Sequence, residues 1–347
     1  MRYRIGKSNV GWLAAVGGLA LALLAPPVLA QQPAPEKVRI VMDWILQGPQ
    51  AIYLRAAESG CFASKGLDVT IDRGYGAGDS VAKVAGGQYD LGRSDGNVVI
   101  EFVAKNPGRA VVAFFDTDSS SMAITTLKKS KLAKPADLEG KTIAAPPGDA
   151  SRRLFPTFAV AAKIDPAKVK WSNISPELRE PALVRGDADA ITGLTESALL
   201  SLKAIGVPLS DLNVFMYDDF GTSLLGKALV VNTDFAKRHP AAVTSVIDCL
   251  VTASKEAMTH LGPAIDALKK REPFTDVAIE TERLKISMEC CWLTPNVKAN
   301  GFSSMDTARL KDAVERVSKA LGVPPPDVAA VYTDAYLPDR SVLKAAQ

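Results

Sequence analysis

The sequence predicts an α/β protein made of two successive units, each a mainly parallel sheet covered by helices. Short apolar runs rich in β-branched residues alternate with stretches of helical spacing over residues 38–115, and the pattern restarts over residues 141–217. Such alternation argues for parallel strands joined by covering helices. Beyond residue 226 the texture changes to one further strand followed by helices.

The elements follow in order. Residues 38–44, VRIVMDW, read as a strand, and residues 49–60 carry Ile52, Leu54, Ala56 and Ala57 at helical spacing up to Gly60. Residues 67–71 alternate as a second strand. Gly74-Tyr75-Gly76-Ala77-Gly78-Asp79-Ser80 is a glycine-rich turn into a helix over 81–85. Strands over 89–92 and 111–115 flank a helix over 98–104. In the second unit a strand over 142–145 enters the turn Pro146-Pro147-Gly148-Asp149 and a helix over 151–162. A strand starting at residue 169, a helix over 177–185, a strand over 188–193, a helix over 196–205 and a strand over 214–217 complete it. A strand over 228–231 precedes amphipathic helices over 243–258, 277–292 and 307–321.

No polar linker of ten or more residues separates the units. The expected organisation is lobe one over residues 31–122 plus 228–347, lobe two over 123–227, and a cleft between them. Ligands favour such clefts, at the carboxyl ends of strands.

The N-terminus reads as a cleavable signal peptide over residues 1–30. Arg2, Arg4 and Lys7 precede an uncharged run over 10–24, Pro26 and Pro27 end it, and Val28-Leu29-Ala30 suits a signal peptidase. The run of about 15 residues is shorter than the roughly 20 that span a bilayer. Residue 31 is Gln, so the lipoprotein cysteine is absent and no lipid anchor is expected. Removing this segment takes three of the 41 basic residues and none of the 38 acidic ones, leaving 38 against 38. With no concentrated positive face, nucleic acid is not an expected partner.

Four cysteines remain: Cys61, Cys249, Cys290 and Cys291. Adjacent Cys290 and Cys291 are not expected to bridge each other. An exported chain can pair Cys249 with either, but buried free thiols in helices are the favoured reading. His239 and His260 are the only histidines and neither lies at ligand spacing from a cysteine, so no metal and no other cofactor is expected.

Several turns can carry a ligand. Gly78, Asp79 and Ser80 open a helix whose free N–H groups attract anions or carbonyl oxygens, and helix capping is the alternative. Asp149, Ser151 and Arg152 repeat that construction in the second unit, where Arg152 could pair with a carboxylate, sulfonate or phosphate. Trp44 ends the first strand, where an indole can stack on a planar ligand. Ser94-Asp95 and Thr192 to Glu196 are polar strand-to-helix turns, with capping as their default role. Ser120 and Ser121, with Asp219 and Phe220, lie where the chain is expected to cross between lobes. No catalytic set emerges: there is no Gly-x-Ser-x-Gly and no recognisable cysteine–histidine spacing.

Together these motifs resemble one family. Asp43-Trp44, Ala56-Ala57-Glu58-Ser59-Gly60-Cys61-Phe62, Lys65-Gly66-Leu67-Asp68-Val69, Gly76-Ala77-Gly78-Asp79-Ser80-Val81 and Gly86-Gly87-Gln88-Tyr89-Asp90-Leu91-Gly92 carry the resemblance. Asp137-Leu138-Glu139-Gly140-Lys141, Arg185-Gly186-Asp187-Ala188-Asp189-Ala190 and Val231-Asn232-Thr233-Asp234-Phe235 extend it over nearly all of the chain after residue 30. The family is the substrate-binding proteins of ABC importers for nitrate, sulfonates, taurine and thiamine-related pyrimidines, with the thiamine-pyrimidine-synthase-like proteins among them.

The resemblance implies a type II periplasmic binding fold, two lobes that close on a small-molecule ligand like a hinged clamp. It implies a monomer in the periplasm that delivers this ligand to an importer permease. Trp44 matches the tryptophan that packs on the ring in pyrimidine-binding relatives. Gln47 and Gln50 stand where those relatives carry Asn and His. Thr192, Thr195 and Glu196 are the candidates for the polar or acidic residue that relatives place after a lobe-two strand. The enzyme branch of the family uses a lobe-one histidine and a cysteine-rich motif with iron. Here no histidine precedes residue 239, and Cys290-Cys291 lies away from the loop near 221–225. An enzyme is therefore the second reading and a binding protein the first.

Overall fold

A computed structural model describes residues 34–345. The expected signal peptide over 1–30 lies outside the described residues. Among the described residues, ten strands form two five-stranded sheets: β1 (Glu36–Val41), β2 (Leu67–Asp72), β3 (Leu91–Asp95), β4 (Ala110–Phe115), β5 (Met122–Leu127), β6 (Thr142–Ala145), β7 (Lys170–Asn173), β8 (Ala190–Leu194), β9 (Leu212–Met216) and β10 (Lys227–Asn232). The first sheet has the order β2-β1-β3-β10-β4 and the second β7-β6-β8-β5-β9.

Each sheet holds one antiparallel strand. In the first, β10 runs antiparallel to both β3 and β4; in the second, β5 runs antiparallel to both β8 and β9. These are the strands that cross between sheets: β5 enters the second sheet after β4, and β10 returns to the first after β9. A strand that must fit a sheet already ordered by parallel units enters it from the opposite end. The predicted pattern omits β5, because Thr125 and Thr126 interrupt its apolar run and the lobe crossing falls on it.

Local chemistry sets the element ends. Asp95 closes β3 and caps the helix Gly96–Lys105 by accepting from the backbone N–H groups of Asn97 and Val98. Asp149 caps the helix Ala150–Arg153 through the Arg152 N–H, and Asn232 caps the helix Thr233–Arg238. The helix expected over 151–162 is two pieces, Ala150–Arg153 and Phe155–Ala162, because Pro156 starts a new first turn and has no N–H to continue the old one. The helices Gly262–Arg271 and Pro295–Asn300 are also additions to the predicted pattern.

Two apolar clusters surround the first sheet. One packs β1 and β2 against the helices Ala51–Glu58, Pro240–Thr259 and Gly262–Arg271, with Ile40, Tyr53, Val246 and Leu250 fully enclosed. The other holds Val99, Val112 and Val230 and continues into the second lobe through Ile124 and Ile143 of its sheet and Phe158 of the helix Phe155–Ala162. The two lobes therefore share buried apolar surface.

Both cysteine expectations are corrected. Cys61 is bonded to Cys249, tying the helix Cys61–Ser64 to the helix Pro240–Thr259. Their Cα atoms are 5.7 Å apart, within disulfide reach, although 188 residues separate them in sequence. Cys290 and Cys291 are bonded to each other in the single π turn Met288–Trp292 that ends the helix Val277–Ser287. Among the described residues no free cysteine remains.

Candidate ligand-binding cleft

The carboxyl ends of β1 and β3, the helix N-termini of the second sheet and the start of β10 converge on one cleft. Its cavity volume is about 40 Å³. Trp44, Gln47, Gln50, Asp149, Ser151 and Glu196 line it, all candidates from the sequence. A smaller space of about 10 Å³ continues past Glu196 and Lys227 to Ser120, Ser121 and Cys291.

Beneath the cleft lies a buried charge network. Arg93 donates from Nε to Asp116 Oδ2 at 2.6 Å and from Nη1 to Asp43 Oδ1 at 3.1 Å. Lys227 Nζ stands 3.5 Å from both Asp43 and Asp95. Burial pushes the Asp43 carboxyl up, but Arg93, Lys227 and the Gln50 amide outweigh it and hold Asp43 below its ordinary range. At Asp95 burial wins, and its carboxyl is raised despite Lys227 and the capping N–H groups.

On the opposite wall Arg179 donates to Glu180 Oε1 at 2.6 Å and lies 3.7 Å from Asp149 Oδ2. Its guanidinium also stands 4.7 Å from the centre of the Trp44 ring. Glu196 differs from these carboxylates. It accepts from Ser121 Oγ at 2.5 Å and Thr195 Oγ1 at 3.5 Å, and among the described residues it forms no ion pair. The Ser151 hydroxyl, 1 % exposed, has no hydrogen-bond partner, and neither has the Ser120 hydroxyl. Buried polar atoms left unpaired in this way are costly, and a polar ligand would satisfy them.

Most of the other sequence candidates have protein partners, whereas among the described residues the buried Ser80 hydroxyl has no hydrogen-bond partner and Asp219 has none either. Gly78 donates its N–H to the Gly148 carbonyl at 3.0 Å, so the two glycine-rich turns meet across the lobes. Asp79 pairs with Lys83 at 2.8 Å, while Ser80 lies buried against Gly92. Ser94 donates to the Ala77 carbonyl at 2.9 Å. Arg152 is bonded to Asn173 and the Ala145 carbonyl and lies over the Trp171 ring. Thr192 donates to Asp149 Oδ1 at 2.8 Å, which orients that carboxylate towards the cleft wall. Asp219 is exposed, and Phe220 packs edge-on against Phe158. Sequence reasoning does not single out Arg93, Arg179 or Lys227 as site residues. Their only sequence signal is a cation within a stretch that folds as buried strand or helix.

A family model described as "NMT1/THI5 like" matches residues 48–261. The chain belongs to that family. Among curated relatives, the formylaminopyrimidine-binding protein of Halalkalibacterium halodurans is 28% identical over 176 residues, covering 50% of this chain and 52% of the relative. The chain thus spans about half the length of that relative. A Haemophilus influenzae protein whose name ascribes it to thiamine biosynthesis is 26% identical over 253 residues, 67% of this chain and 77% of the relative.

Solved structures of family-like shape agree on the fold. The alkanesulfonate-binding protein SsuA of Xanthomonas axonopodis pv. citri superposes with TM-score 0.67 at 16% identity, covering 86% of this chain and 98% of that one. The periplasmic nitrate-binding protein NrtA of Synechocystis PCC 6803 gives TM-score 0.57 at 14% identity, over 72% and 70%. At these identities the likeness is one of fold, and the fold is the two-lobed periplasmic binding architecture that the sequence predicts.

Proposed function

We propose that this protein is the soluble substrate-binding component of an ABC importer, capturing a small nitrogen heterocycle of the thiamine-pyrimidine type in its interlobe cleft. Export to the periplasm and delivery to a permease belong to the same reading. The observation that carries it is the cleft's charge pattern: every lining cation is taken by a carboxylate, whereas Glu196 is left to accept from hydroxyls alone.

That pattern disfavours a sulfonate or nitrate. An anion needs a cation or a set of free N–H donors, but Arg93, Lys227 and Arg179 are already committed to carboxylates. The N–H of Gly78, an expected anion donor, is given to Gly148. An aminopyrimidine fits better. Its flat ring suits Trp44, its amino group can donate to Glu196, and its ring nitrogens can accept from Ser151. The similarity to a formylaminopyrimidine-binding protein supports the same choice.

The enzyme reading is not favoured. His239 faces Glu36 at 3.3 Å and His260 is exposed, so neither histidine supplies the cleft. The test is a thermal-unfolding screen of the purified protein against aminopyrimidines, taurine, alkanesulfonates and nitrate. A ligand at 100 times its dissociation constant adds about 2.7 kcal/mol of stability. Stabilisation by pyrimidines alone is the expected result; stabilisation by sulfonates alone overturns the choice of ligand.

A further inference from the structure

The helix Val277–Ser287 lies between the lobes, and one of its residues reaches the ligand-facing wall. Arg283 is 2 % exposed. Its Nη1 donates to the backbone carbonyls of Glu196 at 2.8 Å and Ser197 at 2.6 Å, in the first turn of the helix Thr195–Ala204. Its Nε donates to Glu280 Oε2 at 2.9 Å, and that oxygen also accepts the Gly48 N–H at 2.7 Å. Gly48 is held this closely because it lacks a side chain: a Cβ there would sit 2.5 Å from the Glu280 carbonyl oxygen.

We propose that Arg283 is a positioning residue for the ligand, acting through Glu196 and coupling its carboxylate to lobe closure. The inference rests on the reading of this cleft as the ligand site. The path is continuous: Gly48 beside the Trp44 wall, then Glu280, then Arg283, then the backbone that carries Glu196. A buried guanidinium needs all its donors satisfied, so Arg283 is fully paired only when lobe-two carbonyls are within reach. Lobe closure supplies those carbonyls and in the same motion sets Glu196 against the cleft. Gln47, which accepts from Ser197 Oγ at 3.0 Å, closes the same ring of contacts from the lobe-one side. Affinity for the ligand thereby depends on a residue that does not touch it.

Calorimetric titration with 4-amino-5-hydroxymethyl-2-methylpyrimidine, on wild type, Arg283→Met, Arg283→Lys, Glu196→Gln and the double variant Arg283→Met/Glu196→Gln, tests this. Losing charged hydrogen bonds of this kind should weaken binding about 10- to 100-fold in Arg283→Met, with partial recovery in Arg283→Lys. The double variant should bind no worse than the weaker single variant, because both changes remove one device. Unchanged affinity in Arg283→Met, or losses that simply multiply, would overturn the proposal. Hydrogen exchange is read alongside and needs no ligand. Amides of the helix Thr195–Ala204 should exchange at least about tenfold faster in both Arg283 variants, with those of β1 unchanged. Equal protection of that helix in wild type and variants overturns the proposal too. If wild type gives no heat with the pyrimidine, the ligand reading fails, and the exchange result alone decides the role of Arg283.

Discussion

The guanidinium of Arg179, from the second lobe, stands 4.7 Å from the ring centre of Trp44, from the first. A cation over an indole face is favourable, by about 2 kcal/mol when both are withdrawn from water. Here both are, and the contact joins the two walls of the cleft. The Trp44 ring thus already holds a flat, positive group at the position where the sequence predicts ring stacking. Trp44→Ala should weaken binding of an aminopyrimidine by about 10- to 100-fold, on the scale of aromatic stacking with a heterocyclic base. Titration calorimetry checks this; an unchanged dissociation constant would remove Trp44 from the site.

The two glycine turns meet where a side chain cannot. Gly76 has φ +130°, and a Cβ on it would lie 2.2 Å from the Gly148 carbonyl carbon. Gly76→Ala should hold the lobes apart as well as strain its own backbone, at a cost of at least about 1 kcal/mol. The expected readouts are weaker ligand binding and a larger radius of gyration with saturating ligand in X-ray scattering. A variant as compact as wild type would show that the turns are not a closure contact.

Much of this cleft was legible in the sequence, and the remainder was hidden for identifiable reasons. Trp44, Asp149, Ser151 and Glu196 sit at strand-to-helix turns, and a turn can be read from its neighbours in sequence. Arg93 was missed because the apolar character of its strand lies at Leu91, whereas Arg93, Ser94 and Asp95 look like the turn that follows. Its burial depends on Asp43 and Asp116, which stand just past the carboxyl ends of β1 and β4. Arg179 reads as a surface arginine on a short helix, and only the fold brings Trp44 and Asp149 to it. The same limit applies to the Cys61–Cys249 bond, whose partners are far apart in the chain.

That disulfide makes a stability prediction. It joins an early helix to the long helix beside it, closing a loop of nearly two hundred residues. Cys249→Ala with Cys61→Ala should lower unfolding stability by about 2–4 kcal/mol, read from the urea midpoint at constant slope. No change in midpoint would mean that the bond constrains neither state.

Acid stability should depend on Asp118. Burial alone raises its carboxyl, but bonds from Thr294, Arg309 and Asn296 outweigh this and hold it below the ordinary value of 3.8. The native state therefore binds fewer protons here than the unfolded chain. The stability it contributes is complete above that ordinary value and is lost as pH falls through the lowered native one. Asp118→Asn should be less stable than wild type at pH 6, with the gap narrowing below about pH 4. Urea midpoints across that range check it, and a gap independent of pH would contradict it.

The most direct test of the account is calorimetric titration of the purified protein with 4-amino-5-hydroxymethyl-2-methylpyrimidine and, separately, with taurine. The account predicts one-to-one binding of the pyrimidine, at least about tenfold weaker binding in Glu196→Gln, and no measurable heat with taurine. Tight binding of taurine with none of the pyrimidine would contradict it.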